Sequence, residues 1–140
     1  MEVFETHIFA ADRPFYRGDC ESVVVPTNEG QYGVLAHHCN AICAIVPGML
    51  SYQPPGEPVQ YAAVSEGLIK IENNRVLILV DTAERPEDID ANRARRAADE
   101  AKEALLQKRS IQEYHSAQAN LARAISRLKV KDRQVRAQGK

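Results

Sequence analysis

The spacing of hydrophobic and polar positions changes near residue 85 and divides the chain into two structural types. Before residue 85, short runs of Val, Ile, Leu and aromatic residues alternate with turn residues. This alternation is typical of a small β-sandwich or barrel. After residue 85, apolar positions recur about every 3.6 residues, which is typical of α-helices. The pattern predicts a sheet unit over residues 1–84 and a helical unit over residues 85–140.

The pattern of residues 1–84 predicts a β-sandwich of about ten short strands. Candidate strands cover residues 3–9, 20–25, 31–35, 41–46, 49–52, 59–64, 68–71 and 76–80. Asn, Pro and Gly separate them at residues 28–30, 47–48, 54–58 and 73–74, and these residues supply the backbone angles that turns need. The clearest prediction is a hairpin that joins the last two strands through Asn73 and Asn74.

The pattern of residues 85–140 predicts an antiparallel two-helix hairpin. Pro86 suits the first position of a helix, and the acidic residues after it favour a helix N-terminus. The bend falls around residues 107–112, where Ser110 can cap the second helix. Two apolar stripes define the facing surfaces: Ile89, Ala94, Ala97, Ala98, Ala101, Ala104 and Leu105 on the first helix, and Tyr114, Ala117, Leu121, Ala124, Ile125 and Leu128 on the second.

These stripes consist mostly of alanine, so the hairpin buries little apolar surface. An alanine in place of a leucine forgoes about 2 kcal/mol of transfer free energy. Two helices of this length do not form an independent core, and the hairpin must therefore dock on another surface. A docked state worth a few kcal/mol can be opened by a partner that binds the open form better.

Charge and composition follow the same division. Residues 1–84 carry four Lys and Arg against eleven Asp and Glu, a net charge of −7, whereas residues 85–140 carry fourteen against eight, a net charge of +6. Six of the seven glycines and six of the seven prolines precede Glu84. At 140 residues the chain is too short for a two-domain enzyme of common design. It contains no apolar run long enough to span a bilayer, and its three cysteines predict a reducing compartment.

A cluster of soft ligands lies at His37, His38, Cys39 and Cys43. Zinc sites usually combine two closely spaced ligand pairs, and the second pair is missing here, so no metal site is assigned. Cys43 is expected to be a small buried residue in a strand. A metal-dependent enzyme is the function that this loop would otherwise support.

Basic residues dominate the end of the second helix. They are Arg123, Arg127, Lys129, Lys131, Arg133, Arg136 and Lys140, against the single acid Asp132. Such a run is usually a solvated face, although it could also bind nucleic acid or an acidic protein. Nucleic acid is not predicted, because Tyr114 is the one aromatic residue available for base stacking on this helix.

A second constellation combines Asp90 and Arg93 with Arg123 and Arg127. Asp90 and Arg93 have the spacing of a surface ion pair, which stabilises a helix by a few tenths of a kcal/mol. A folded hairpin could instead bring the arginines of both helices together, a geometry that suits phosphate. No P-loop, dinucleotide fingerprint, nucleophile elbow or metalloprotease helix occurs, and no catalytic residue is assigned.

The order of these parts resembles the epsilon subunit of F-type ATP synthases over almost the whole chain. Six motifs carry the resemblance: EGQYGVL at 29–35, PGML at 47–50, VSEGL at 64–68, DTAER at 81–85, IDANRA at 89–94 and RLKV at 127–130. The stretch after Leu35 departs from the family, since many members read Pro-Gly-His-Ala-Pro where this chain has residues 36–40.

The resemblance implies a non-catalytic rotor subunit, without a required cofactor, that couples proton or sodium flow to rotation. Its sandwich would bind the gamma subunit and the membrane c-ring, with Gln31 and His38 in the loop that faces the c-ring. Its hairpin would extend along gamma and inhibit ATP hydrolysis, and its basic second helix would pair with the catalytic beta subunits. The chain would lie on the cytoplasmic face of a bacterial plasma membrane, or the stromal face of a thylakoid, and contact the membrane only through the complex.

The resemblance also implies a regulatory ATP site. The IDANRA stretch matches a family motif that forms such a site in some bacterial members. Carried over, Ile89, Asp90 and Ala94 would surround the adenine, Arg93, Arg123 and Arg127 would approach the ribose or phosphates, and Glu84 would lie nearby. Members that bind ATP have a further arginine at the position of Glu100. A free-standing ATP-sensing module without a synthase role is the alternative function.

Overall fold

Ten strands form two packed five-stranded sheets, followed by a 3₁₀ turn and two helices. The structure, a computed structural model, describes residues 2–107 and 110–138. The strands are β1 (Phe4–Ala10), β2 (Pro14–Cys20), β3 (Ser22–Thr27), β4 (Gly30–Leu35), β5 (Ala41–Ile45), β6 (Gly48–Gln53), β7 (Gln60–Val64), β8 (Gly67–Glu72), β9 (Arg75–Val80) and β10 (Ala83–Glu84). A 3₁₀ turn (Pro86–Asp88) leads to α1 (Ala91–Leu106) and α2 (Ile111–Gln138).

The first sheet, called sheet A, has the strand order β2-β1-β9-β8-β5, and sheet B has the order β10-β7-β6-β3-β4. All described pairings are antiparallel except that of β1 with β9. Alternate residues of each strand point between the sheets, and this interior is closed by fully buried side chains such as Ile8, Val23, Leu50, Ile69 and Ile78. The predicted β-sandwich with a C-terminal helical hairpin is therefore confirmed.

Two strands were not marked by the sequence pattern. β2 is an edge strand that contains Pro14 and Gly18 and fully buries only Phe15 and Cys20. Apolar and polar residues do not alternate regularly along β2, so its sequence looks like that of a loop. β10 has two residues and exists because Ala83 and Glu84 pair with the end of β7. The predicted hairpin at the Asn pair is confirmed, with φ of 52° at Asn73 and 60° at Asn74, as a type I′ turn requires.

The first helix begins five residues later than the sequence predicts, at Ala91 instead of Pro86. Pro86 begins the 3₁₀ turn rather than the first helix, and Ile89 is extended, with ψ of 125°. Asp90 then caps α1 by accepting hydrogen bonds from the backbone N–H groups of Asn92 and Arg93, at 3.0 and 3.1 Å. The predicted bend is confirmed, because α1 ends at Leu106 and α2 begins at Ile111.

The hairpin lies against the sandwich. Its internal seam contains the predicted small residues, with Ala94, Ala98 and Ala101 of α1 buried together with Ala117 and Ala124 of α2. Helix α2 packs on β6, β7 and the 3₁₀ turn, and so covers part of the outer face of sheet B. In the described part of the chain, neither helix is long and apolar enough to cross a membrane.

Candidate functional site

One stripe of α2 makes the contact between the hairpin and the sandwich. Residues at helical spacing form this docking stripe: Arg123, Ser126, Arg127, Val130 and Lys131. They lie on the side of α2 that faces the sandwich, whereas the alanine stripe faces α1. Four of the five contacts are polar, so the docking surface differs in character from the interior of the sandwich.

The centre of the docking stripe is Ser126 and Val130. The Ser126 hydroxyl is buried and donates a 2.6 Å hydrogen bond to the Gly48 carbonyl oxygen at the start of β6. Val130 is fully buried in a small cluster with Ala63 and Ile89, against Met49 and Tyr61. The next residue, Lys131, donates from Nζ to the Pro86 carbonyl oxygen at 3.0 Å.

Two arginines bridge α2 to carboxylates of the sandwich. Arg127 Nε lies 2.7 Å from Glu84 Oε1 on β10, and Arg123 Nη2 lies 2.7 Å from Glu66 Oε1 in the turn between β7 and β8. The Arg127 and Glu84 side chains are 31% and 28% exposed, and those of Arg123 and Glu66 are 29% and 50% exposed. Water and salt therefore reach both ion pairs.

A cavity of about 380 Å³ lies between β10, the 3₁₀ turn and the hairpin. Its lining contains five of the seven predicted ATP-site residues and is formed by Glu84, Asp88, Asp90, Arg93, Ala94, Ala97 and Arg127. The lining holds three carboxylates and two guanidinium groups. Of these, Glu84 is paired with Arg127, and Asp90 is engaged at the N-terminus of α1. The arrangement can hold a polar group but offers a phosphate little uncompensated positive charge.

The other two predicted residues lie outside this lining. Ile89 is buried in the cluster with Val130, and Arg123 lines a neighbouring groove of about 640 Å³ between the helices. Glu100 lines the same groove. The structure thus brings Glu84, Asp90, Arg93, Ala94 and Arg127 together and directs Ile89 into the docking contact. The ATP site itself stays a prediction.

The residues assigned to the c-ring lie at different ends of β4. Gln31 is an exposed residue near the start of the strand, rather than in a loop, and His38 follows its end. His38 Nδ1 lies 2.7 Å from the Cys39 carbonyl oxygen, so this nitrogen carries the proton. Nε2 then accepts from the Tyr32 hydroxyl at 3.0 Å. Burial raises the pKa of the Tyr32 hydroxyl above its ordinary value.

Within residues 2–107 and 110–138, no three His, Cys, Asp or Glu side chains converge as a metal site. Cys43 lies in β5 as expected, but it is half-buried rather than buried, because β5 is the edge strand of sheet A. Lys140, the last residue of the predicted basic run, lies outside the described residues.

Sequence reasoning missed an apolar row on the outer face of sheet A. The pairings place Ala44 beside Leu68, Leu68 beside Leu79, and Leu79 beside Phe9, so these residues cross four strands. Leu68 is 38% exposed and Leu79 is 41% exposed, and Ile42 in the next row is 70% exposed. This exposed apolar row could have been found from the outward positions of the predicted strands, which carry Leu where a solvated face carries polar residues.

Both the sheet unit and the helical unit match models of known protein families. Residues 3–86 match the β-sandwich domain of the ATP synthase delta/epsilon chain, and residues 87–132 match the long alpha-helix domain of the same family. The chain belongs to this family. The predicted resemblance is thereby confirmed. The sandwich and the hairpin match the two domains of one family.

Individual relatives extend over nearly the same length. The ATP synthase epsilon chain of Ruminiclostridium cellulolyticum is 40% identical over 133 residues, which cover 95% of this chain and 98% of the relative. The epsilon chain of Caldanaerobacter subterraneus is 38% identical over 130 residues, with 92% and 94% covered. Both share the family of this chain across its sheet and helical parts.

Solved structures confirm the fold. A chain of the Euglena gracilis mitochondrial ATP synthase, solved as an OSCP/F1/c-ring assembly, matches with a TM-score of 0.79 at 20% identity, covering 95% of this chain and 81% of that chain. A chain of the Tetrahymena thermophila ATP synthase central stalk and c-ring matches with a TM-score of 0.64 at 14% identity, covering 91% and 95%.

Proposed function

We propose that this chain is a non-catalytic rotor subunit in the central stalk of an F-type ATP synthase. The sandwich binds the gamma subunit and the c-ring, helps couple ion flow to rotation, and carries a hairpin that inhibits ATP hydrolysis when it swings out. The observation that carries this proposal is the match of residues 3–132 to both domains of one family. The 40% identity to a relative named ATP synthase epsilon chain supports it.

The exposed apolar row supports a permanent partner for the sandwich. Leu68, Leu79 and Ile42 on this sheet face are in contact with water. The free energy of the system falls when a protein surface covers them. Gamma is the partner that the proposal assigns to this face. The edge strands β4 and β5, with Gln31 and the His38 segment, are assigned to the c-ring contact.

The hairpin contacts support a movable arm. The seam between the helices is formed by alanines, and among the described side chains of α2 one large aliphatic group, that of Val130, is fully buried on the sandwich side. The basic residues Lys129, Arg133 and Arg136 are exposed on α2. In the extended position they can pair with acidic surfaces of the catalytic beta subunits.

The test is removal of all residues after Glu84 from the subunit of an assembled synthase. All ten strands lie before this point, so the sandwich keeps its core. We expect the truncated subunit to remain bound to gamma and the inhibition of ATP hydrolysis to disappear. Hydrolysis rates of the native and truncated complexes measure the effect, and unchanged inhibition would contradict the role of the hairpin.

Co-purification separates this function from the alternative. A rotor subunit travels with gamma in the detergent-solubilised membrane complex, whereas a free-standing ATP-sensing module does not. A chain that is recovered entirely apart from gamma would exclude the rotor function.

A further inference from the structure

The two ion pairs that bridge α2 to the sandwich suggest what holds the hairpin down. Glu66 and Glu84 come from separate places, the turn after β7 and strand β10, yet each meets an arginine of α2 at 2.7 Å. Their partners, Arg123 and Arg127, are one helical turn apart. Both pairs cross from the sandwich to the hairpin, so both are broken when the hairpin leaves.

We propose that Glu66 and Glu84 serve as built-in anions that close the hairpin, so that closure needs no bound nucleotide and weakens as ionic strength rises. The regulatory meaning of this inference rests on the proposed function, in which the hairpin moves. Among the described side chains, the other docking contacts are the Ser126 hydroxyl, the Val130 side chain, the Lys131 ammonium group and the Arg133 guanidinium group, which lies 5.6 Å from the centre of the Tyr61 ring.

The exposure of the two pairs gives the salt dependence. The four side chains are between 28% and 50% exposed, so dissolved ions approach them. Screening acts over about 8 Å at physiological ionic strength and over about 3 Å at 1 M salt. Added salt therefore weakens the bridging pairs, while the buried contact at Val130 keeps its strength.

The same pairs decide how a phosphate would act. Arg127 Nε already donates to Glu84, and the cavity beside it is also lined by Asp88 and Asp90. A phosphate that binds the other N–H groups of this arginine lies beside the carboxylates of Glu84, Asp88 and Asp90, which repel it. Glu100 in the groove next to Arg123 adds further repulsion. These carboxylates therefore weaken phosphate binding, and closure rests on Glu66 and Glu84 themselves.

The experiment measures hairpin closure in the full-length chain. Spin labels attached through non-cysteine chemistry at exposed Glu57 in the sandwich and exposed Lys102 on α1 report the distance by pulsed electron resonance and leave the three cysteines intact. We expect a short distance at 50 mM NaCl without nucleotide and a growing open population towards 1 M NaCl. Glu84→Gln should raise the open-to-closed ratio by about two- to fivefold, and Glu66→Gln should add to it.

Two variants control for general effects of charge. Asp132→Asn removes the 3.1 Å pair with Arg136, which lies within α2, and should leave the distance unchanged. The double exchange Glu84→Arg with Arg127→Glu should restore closure that Glu84→Gln loses. An unchanged ratio in the Glu66→Gln, Glu84→Gln double variant would overturn the inference, as would a hairpin that closes only when MgATP is added. Neither result bears on the truncation assay, so a failed ion-pair mechanism is distinguishable from a failed rotor function.

Discussion

The two outer faces of the sandwich differ in chemistry and in what covers them. Sheet B carries α2, which it holds through the docking stripe, and four of the five contacts of that stripe are polar. Sheet A leaves Leu68, Leu79 and Ile42 in contact with water. Polar contacts can be exchanged for water at small cost, whereas an uncovered aliphatic surface cannot. The covered face therefore suits a reversible contact, and the bare face suits a lasting one.

Magnitudes support this contrast. A partly exposed ion pair contributes about 0.2–1 kcal/mol, and full burial of one valine contributes about 2 kcal/mol. The hairpin is thus held by a few kcal/mol, within reach of a competing partner. A subunit interface over sheet A would bury several large aliphatic side chains at once, and dissociation would expose all of them.

The largest effect is expected from negative charge placed on the bare outer face of sheet A. The double variant Leu68→Asp, Leu79→Asp puts two adjacent carboxylates into the proposed interface with gamma, where they would be desolvated. We expect loss of most co-purification with gamma, by a hundredfold or on that order. The fold should persist, because both side chains point away from the core, and circular dichroism checks this.

The control is Leu106→Asp, which makes the same type of substitution, with one added charge, at a leucine that is 80% exposed at the end of α1. It should leave the yield with gamma unchanged. Retention of the Leu68→Asp, Leu79→Asp variant in the complex would assign gamma to another surface.

A smaller effect is expected from Val130→Ala on the covered face. Removal of two methyl groups from a fully buried site costs about 2 kcal/mol, including the space left behind. We expect a larger open population of the hairpin with an unchanged melting temperature of the sandwich. Spin-label distances and calorimetry report the two quantities separately. Val59→Ala, at a 38% exposed valine in the loop before β7, is the control, and equal behaviour of both variants would remove Val130 from the docking contact.

The smallest effect is expected from Ser126→Ala. The substitution leaves the Gly48 carbonyl oxygen without its 2.6 Å donor and costs about 1 kcal/mol. Amide exchange of α2 should accelerate about fivefold if the hairpin opens as a unit. Ser116→Ala on the exposed part of the same helix is the control. Equal exchange rates in both variants would contradict a role for this hydroxyl in docking.

The sequence predicted the architecture because each unit has a regular pattern. Alternating runs located eight strands, and the alanine stripes located both helices and the bend near Ser110. The pattern failed at β2, which buries only Phe15 and Cys20 among exposed and half-buried residues, and at the 3₁₀ turn. Pro86 and two acids resemble a helix start equally well whether one turn or five follow.

The candidate site was predicted less completely. Motif resemblance and the arginine spacing grouped Glu84, Asp90, Arg93 and Arg127, and the structure places these four residues around one cavity. Neither signal revealed that Glu84 binds Arg127, that Ile89 is buried under Val130, or that Ser126 meets Gly48. These contacts join residues more than 40 positions apart, and local pattern carries no information on such pairs. The spacing of Arg123, Ser126, Arg127 and Val130 on one helical face is the signal that could have marked the stripe.

The parallel pairing of β1 with β9 has a consequence for biosynthesis. Of the described strands, β1 leaves the ribosome first, and because it lies between β2 and β9 it cannot be enclosed until residues 75–80 have been made. The tunnel must therefore release nearly the whole sheet unit before a native core exists, which makes long-range closure the slow step. The helices emerge after the sheet unit, onto a surface already complete, so assembly proceeds from the sandwich to the hairpin.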